Sequence, residues 1–388
     1  MNCPCCEQAI ADTLEDCPEC GWKLRGEPIF GRPTTEQKND YEQKLRECHE
    51  NYEKKRRGQP PPPPPKPRRP TEPNQEPKLE QPENRKFQKR AVSRDSEGIS
   101  SLAISNDRSL VASGSMDGSV RLWDAVNATD RGVFRCHQGG VTSVAVDLRG
   151  RWLGSASSDG TICVWRYAEI NRGHTAISPS HKLEMPSGAH EALSLSFSNR
   201  GNILASGDER GNIHLWDFAT GAPQSRRALR GRSARLNRLM FSPTRDQLAS
   251  CGDDGIIKTW DIKTLESHDL DGPHNVHIRS TAYSPNGKWL ASGGLNGAVT
   301  QWDLSSGVSY PLCNHGPEVS AIVYSADGRW LICGDRDGHI YVMDQKIGVE
   351  LHHFKSATGI NTLVYGSHQH TIVSGNQSGF IEWWEIPS

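Results

Sequence analysis

Five of the chain's eleven cysteines fall within its first twenty residues: Cys3, Cys5, Cys6, Cys17 and Cys20. Cys3-Pro4-Cys5-Cys6 and Cys17-Pro18-Glu19-Cys20 form two C-x-x-C pairs separated by ten residues. Each pair can wrap two thiolates around one ion, and two pairs complete the tetrahedral four-sulfur set that zinc takes in closed structural sites. The expected cofactor is therefore one structural zinc per chain, held by Cys3, Cys6, Cys17 and Cys20. No position remains open for water, which excludes a catalytic zinc of the usual kind. Gly21 permits the positive φ that often follows a thiolate knuckle. Glu7 stands in the matching place after the first pair, and Cys5 is a spare sulfur that competes with Cys6. So short a segment has too little core to fold unaided, so the metal would supply its folding energy.

The other cysteines carry less chemistry. Cys48 lies in a charged segment, and Cys136, Cys163, Cys251, Cys313 and Cys333 are scattered. An odd total with no secretion signal argues against a disulfide framework. The scattered five are expected to be small buried apolar residues.

The elements that must position these groups differ along the chain. From Pro33-Thr34-Thr35 to about Gly58 the sequence predicts a charged helix with a narrow apolar stripe of Tyr41, Leu45, Cys48 and Tyr52. Such a stripe docks on its own domain or forms a short coiled coil. Residues 59–85 include six consecutive prolines, Pro60 to Pro65, and read as a stiff, Pro-rich linker. Pro64-x-x-Pro67-x-Arg69 has the form of a proline-groove ligand. Beyond residue 85 one pattern repeats. LVASGSMDGSVRLWD ends at Asp124 and WLGSASSDGTICVWR at Arg166, and five further copies follow. Their anchors are Trp123, Trp165, Trp216, Trp260, Trp302, Met343 and Trp384, spaced by 42, 51, 44, 42, 41 and 41 residues. Within each copy, short strands alternate with Asp-Gly or Asn-Gly turns that supply the positive φ of tight hairpins.

This periodic region, residues 86–388, resembles the WD-repeat β-propeller family, and the first 26 residues resemble a short zinc ribbon. The fold class implied is all-β, a seven-bladed propeller joined to the ribbon (1–26) by the helix (33–58) and the linker (59–85). The resemblance implies a buried His–Ser–Asp–Trp network within blades, complete only in the second: His137, Ser155, Asp159 and Trp165. The fifth has His274, Ser292 and Trp302 with Asn296 in the aspartate place, and the third has Arg210 there. The sixth keeps His315 and Asp337 but has Cys333 and Met343. These histidines are expected to orient strands, not to catalyse. The last copy stops at Ser388 without a fourth strand, so Lys86 to Val92 is expected to complete it and spare an open edge.

The functional reading follows from what is present and what is missing. Lys and Arg number 45 against 46 Asp and Glu, so no global field favours nucleic acid or membrane. No apolar run approaches a membrane span, and the start lacks a signal pattern, so a cytoplasmic protein is expected. No phosphate-binding glycine loop, nucleophile elbow or open metal site occurs, which excludes the common enzyme classes. The resemblance implies a scaffold for protein or peptide partners. Its contact positions fall on Met116, Glu191, Leu193, Glu209, Arg235, Asn237, Asp253, His277, Arg279, Leu295, Glu318 and Arg336. Mixed charge with apolar residues suits a protein better than a phosphate backbone. A loop from Arg166 to Ser180, on the opposite face, is a second contact candidate. The alternative is a nucleic-acid or ribonucleoprotein factor that uses the ribbon and the basic clusters Lys54 to Arg57 and Arg68-Arg69.

Overall fold

The computed structural model describes residues 89–386, except 96, 171–177, 187–190, 219–223, 230–233, 271–275, 347 and 367–369. The expected ribbon, helix and linker, with all four zinc-ligand candidates, lie outside the described residues, as does His274. The described residues belong to one unit, Asn84–Ser388.

Seven four-stranded antiparallel sheets make up this unit. Blade five shows how the sequence builds them. Its strands run Ile278–Tyr283, Trp289–Gly294, Ala298–Asp303 and Ser309–Asn314 in hydrogen-bonded order. Gly287 and Gly297 turn the first two hairpins with φ of 66° and 78°. At Gly297 a Cβ would sit 2.6 Å from the Gly316 nitrogen, so both dihedral and space require glycine.

Burial follows position in the blade. In blade six the second strand, Trp330–Asp335, is buried at every residue, whereas the outermost, Glu350–Lys355, buries only Phe354. A sheet with both faces apolar has to be covered on both sides, and its neighbours cover it. Ala282 and Val299 of blade five meet Ile322, Leu331 and Met343 of blade six in one such core.

The innermost strands close a ring. They run Ile99–Ile104, Val141–Val146, Ala192–Phe197, Leu236–Phe241, Ile278–Tyr283, Val319–Tyr324 and Ile360–Gly366. Each packs against the next, and the seventh packs against the first. The seventh blade joins the two ends of the described chain: Lys89–Arg94 pairs antiparallel with Phe380–Glu385, setting Val92 opposite Glu382. The described closing strand, Lys89–Arg94, overlaps the Lys86–Val92 expected from sequence and runs two residues past its end, while residues 86–88 lie outside the described residues. The apolar character of that segment did not fix its ends, because pairing with the last strand sets the register.

Two expectations are corrected here. The long spacing before blade three does not give a plain loop from Arg166 to Ser180. It contains a helical turn, Tyr167–Ile170, the one α-helical segment among the described residues. Tyr167 and Ile170 are buried, and Tyr167 Oη lies 3.3 Å from Asp107 Oδ1, so the insertion packs on a turn of blade one. Cys136 and Cys163 are not separate apolar residues but are joined by a disulfide. Cys136 directly follows the outer strand of blade one and Cys163 lies in the third strand of blade two, so the bond joins two repeats that linear spacing keeps apart. Cys251 and Cys333 are buried and take no part in a disulfide.

Candidate protein-interaction site

The ring of inner strands is held by a belt of hydroxyl groups. Ser101 Oγ accepts a hydrogen bond from Val144 N at 3.1 Å, Ser143 from Leu195 N at 3.1 Å and Ser194 from Leu239 N at 2.9 Å. Ser280 accepts from Ile322 N at 3.1 Å, and Thr362 from Leu102 N at 3.1 Å. Each bond ties one blade to the next and satisfies a buried amide. The equivalent residues in the fourth and sixth blades are Arg238 and Ala321, so the belt is interrupted twice.

Above the belt, the ring opens into a cavity of about 490 Å³. Six of the residues assigned to partner contact line it: Met116, Leu193, Asn237, Arg279, Glu318 and Arg336. They come from five blades, because each sits in a loop or strand start at the same end of its blade. Met116 is 56% exposed, the highest value among the large apolar side chains of the described residues. Leu295, 41% exposed, is tied into the same rim by Leu295 N donating to His277 O at 2.9 Å.

The charged members of the set pair with one another. Arg279 Nε lies 3.1 Å from Glu318 Oε1, and its Nη1 lies 3.3 Å from Asp253 Oδ1. Arg336 Nε approaches Glu318 at 3.4 Å, while its Nη1 donates to Asn361 Oδ1 at 2.6 Å. Asn237 Nδ2 donates to Asp253 Oδ1 at 2.8 Å, and His277 Nδ1 lies 3.3 Å from the same oxygen. On the other side Arg235 lies 3.4 Å from Glu191, whose own N–H donates to Glu209 Oε2 at 3.0 Å. Glu191, Glu209, Arg235, Asp253, His277 and Leu295 thus stand beside the cavity and not in its lining. These partly exposed pairs contribute little stability individually, but they hold the long side chains in fixed poses.

The sequence reading missed Arg238, Asn361 and Gln377, which also line the cavity. Arg238 was legible in principle: it stands where five of the other inner strands carry Ser or Thr. Its Nε is buried without a hydrogen-bond partner.

The blade-two network is centred on His137, whose side chain is fully buried. His137 Nε2 lies 2.6 Å from Ser155 Oγ, and Nδ1 lies 2.7 Å from Thr161 Oγ1. Thr161 Oγ1 donates to Asp159 Oδ1 at 2.6 Å, so it must accept from Nδ1–H. Asp159 Oδ1 itself is 3.7 Å from Nδ1. Thr161, which sequence reasoning did not single out, therefore relays the contact between histidine and aspartate. Burial pulls the His137 pKa down to about 4, with Asp159 opposing. Burial would raise Asp159, but bonds from the Thr161 hydroxyl and from the Gln138 and Thr161 amides outweigh it and hold the carboxyl at about 2. In four other blades the anchor tryptophan donates Nε1–H to the serine of the second strand: Trp123 to Ser113 at 2.8 Å, and Trp216 to Ser206, Trp260 to Ser250 and Trp384 to Ser374 at 2.9 Å each. Cys136, His137 and Cys163 are the one group of three potential metal ligands found together among the described residues. The two sulfurs bond each other and both imidazole nitrogens are engaged within the blade, so this set is not free to take an ion.

The repeat pattern described as WD domain, G-beta repeat, matches residues 88–124, 129–166, 178–217, 223–261, 262–303 and 308–344, more than half of the chain. The chain belongs to this family. The three C-terminal strands of the seventh blade lie beyond the last matched WD repeat, and the sheet topology supplies them. Apoptotic protease-activating factor 1 of Homo sapiens is 31% identical over 42% of this chain and 13% of its own length. Target of rapamycin complex subunit LST8 of Saccharomyces cerevisiae is 26% identical, over 46% of this chain and 74% of its own. Nuclear distribution protein PAC1 of Arthroderma otae is 32% identical, over 42% of this chain and 36% of its own. The chain therefore spans a small fraction of the first of these relatives and about three quarters of the second. Among the described residues of this WD-repeat protein, no helix is long and apolar enough to cross a membrane.

Proposed function

We propose that this WD-repeat protein is a non-catalytic scaffold that binds a protein or peptide partner at the mouth of its central channel. The observation that carries this reading is convergence: side chains from five blades, both charged and apolar, meet around one cavity of about 490 Å³. Ion pairs hold Arg279, Glu318 and Arg336 in place before any partner arrives, which lowers the cost of ordering them on binding. Leu193 lies in the cavity wall, while Met116 and Leu295 stay exposed and offer dry contact area beside the arginines. The name of the LST8 relative, a complex subunit, fits the same role. Residence in the cytoplasm belongs to this reading, as does a second interaction module at the N-terminus, a zinc ribbon with Cys3, Cys6, Cys17 and Cys20 as ligands.

Capture of partners by the full-length protein tests the scaffold role. Protein partners lost on Arg279→Glu support it, and recovery of nucleic acid with a strong salt dependence would contradict it. Elemental analysis tests the module separately: about one zinc per chain is expected, released by Cys17→Ser, and an absence of zinc overturns it.

A further inference from the structure

Arg238 is the one charged residue at its position in the seven inner strands. In five blades that position carries Ser or Thr, whose hydroxyl bonds the next blade's amide. The guanidinium of Arg238 instead lines the cavity at the channel mouth. Its Nε has no hydrogen-bond partner, and no carboxylate among the described residues pairs with it. The residue opposite in the hairpin is the buried Cys251, whose effect on the Arg238 pKa is upward but smaller than that of burial. Burial lowers the pKa of Arg238, as expected for a cation short of counter-charge. An unpaired guanidinium in such a place is costly unless something supplies its partner.

The neighbouring charges do not supply it. Arg279 and Arg336 share Glu318, and Arg279 also meets Asp253. Among the charged side chains that line the cavity, Arg279 and Arg336 are thus both paired, whereas Arg238 has no ion-pair partner among the described residues. One carboxylate from a partner would give Arg238 the counter-charge it lacks. The planar fork of arginine matches a carboxylate, which takes two parallel N–H bonds.

We propose that the channel mouth recognises a single carboxylate on a partner peptide, an Asp or Glu side chain inserted to pair with Arg238. This rests on the interaction face proposed above and names the chemistry that face selects. Apolar neighbours of the acidic residue would lie against Leu193 and Met116, and the hydroxyls of Ser100, Thr142 and Ser320 ring the entry.

The test uses a random heptapeptide display library selected on the full-length protein. Enriched peptides are expected to share one Asp or Glu at a fixed place among apolar residues. Changing that residue to Asn or Gln in a synthetic peptide should weaken binding tenfold or more, and it needs no protein variant. Arg238→Gln should weaken the acidic peptide equally and should leave the amide peptide unaffected. Arg238→Lys, which keeps the charge but lacks the fork, should recover only part. A phosphoserine version should bind less well than the carboxylate. Enrichment without an acidic residue, equal binding by wild type and Arg238→Gln, or tighter binding of the phosphopeptide would overturn the proposal. Peptides lost on Arg279→Glu with Leu295→Asp, yet indifferent to Arg238→Gln, would leave the face standing and remove only the carboxylate. Peptides indifferent to all three changes would remove both.

Discussion

Blade two and blade six start from the same repeat, WLGSASSDGTICVW and WLICGDRDGHIYVM, yet they hold their histidines by different physics. In blade two, His137 sits between Ser155 and Thr161 in a closed polar network. In blade six the serine place is Cys333 and the tryptophan place is Met343. His315 Nε2 lies 3.2 Å from Cys313 Sγ, which lies 3.3 Å from Met343 Sδ. The His315 ring stacks on Tyr341 with centroids 3.8 Å apart. Two further histidines extend this stack, His339 and His353, whose ring nitrogens approach to 2.6 Å. Burial raises the Cys313 thiol to about 12, so it stays protonated and acts as a soft packing group. Both blades have the same four-stranded form. Propeller architecture thus asks that the space behind the second strand be filled and its polar atoms satisfied, and a sulfur-and-ring cluster does this as well as a hydrogen-bond network.

If local networks were the main source of blade stability, removing the closing strand would cost about as much as removing one histidine. We expect a much larger loss. A chain beginning at Ser96 lacks Lys89–Arg94 and leaves Phe380–Glu385 as an open edge, whereas one beginning at Gln81 keeps the pair. The shorter chain should melt well below the longer one, and equal melting temperatures would show that the ring needs no clasp.

The next effect sharpens the contrast between blades. His137→Ala should cost roughly 1–3 kcal/mol in urea unfolding, because the buried Ser155 and Thr161 hydroxyls lose their partner. His315→Ala should cost less than about 1 kcal/mol beyond its lost packing, since its ring nitrogen faces only a thiol, a weak hydrogen-bond partner. The reverse order would mean that the sulfur cluster, and not the polar network, is the demanding one. Cys333→Ser should destabilise by about 1–2 kcal/mol. It buries a hydroxyl where the Met343 side chain, unlike the anchor tryptophans, has no N–H to donate.

Burial lowers the histidine pKa in both blades, at His315 as well as at His137, and the shift at His137 is large. His137 titrates near 4 in the folded chain, below its ordinary 6.5. The unfolded chain therefore takes up this proton first as pH falls. The contribution is complete above about 6.5 and declines as pH drops toward 4, amounting to roughly 2 kcal/mol by pH 5. Asp159, held at about 2 against 3.8, acts in a lower window: its contribution is complete above about 4 and is lost as pH falls through 2. Urea midpoints measured between pH 7 and pH 5 should fall for wild type and fall less steeply for His137→Ala, in which His315, His181 and His352 still titrate low. Parallel slopes would contradict a buried neutral histidine.

How much of this was written in the sequence differs between the two levels. The blades were legible because the Asp-Gly and Asn-Gly turns and the tryptophan anchors recur locally, at fixed spacing within each unit. The contents of the site were less so. Thr161 was passed over because its role depends on which hydroxyl reaches a histidine 24 residues away. Arg238 was passed over because its meaning lies in a comparison with the same strand position in six other blades. The Cys136–Cys163 bond joins two repeats whose neighbours in space are not neighbours in the pattern. Contacts within a repeat follow from its own residues, whereas contacts between repeats require the ring to be closed first.

The channel mouth is the proposed working surface of the propeller. Met116 and Arg336 precede the third strands of their blades, whereas Arg166 ends one, so the two groups lie at opposite ends of the ring. The direct measurement is the affinity of a captured partner for full-length protein carrying Arg279→Glu, Leu295→Asp or Arg166→Glu, each checked for an unchanged melting curve. The first two should each weaken binding about tenfold or more, equivalent to ~1.4 kcal/mol, while Arg166→Glu should leave it unchanged. Binding that survives both mouth substitutions and is lost on Arg166→Glu would place the working surface on the other side of the propeller.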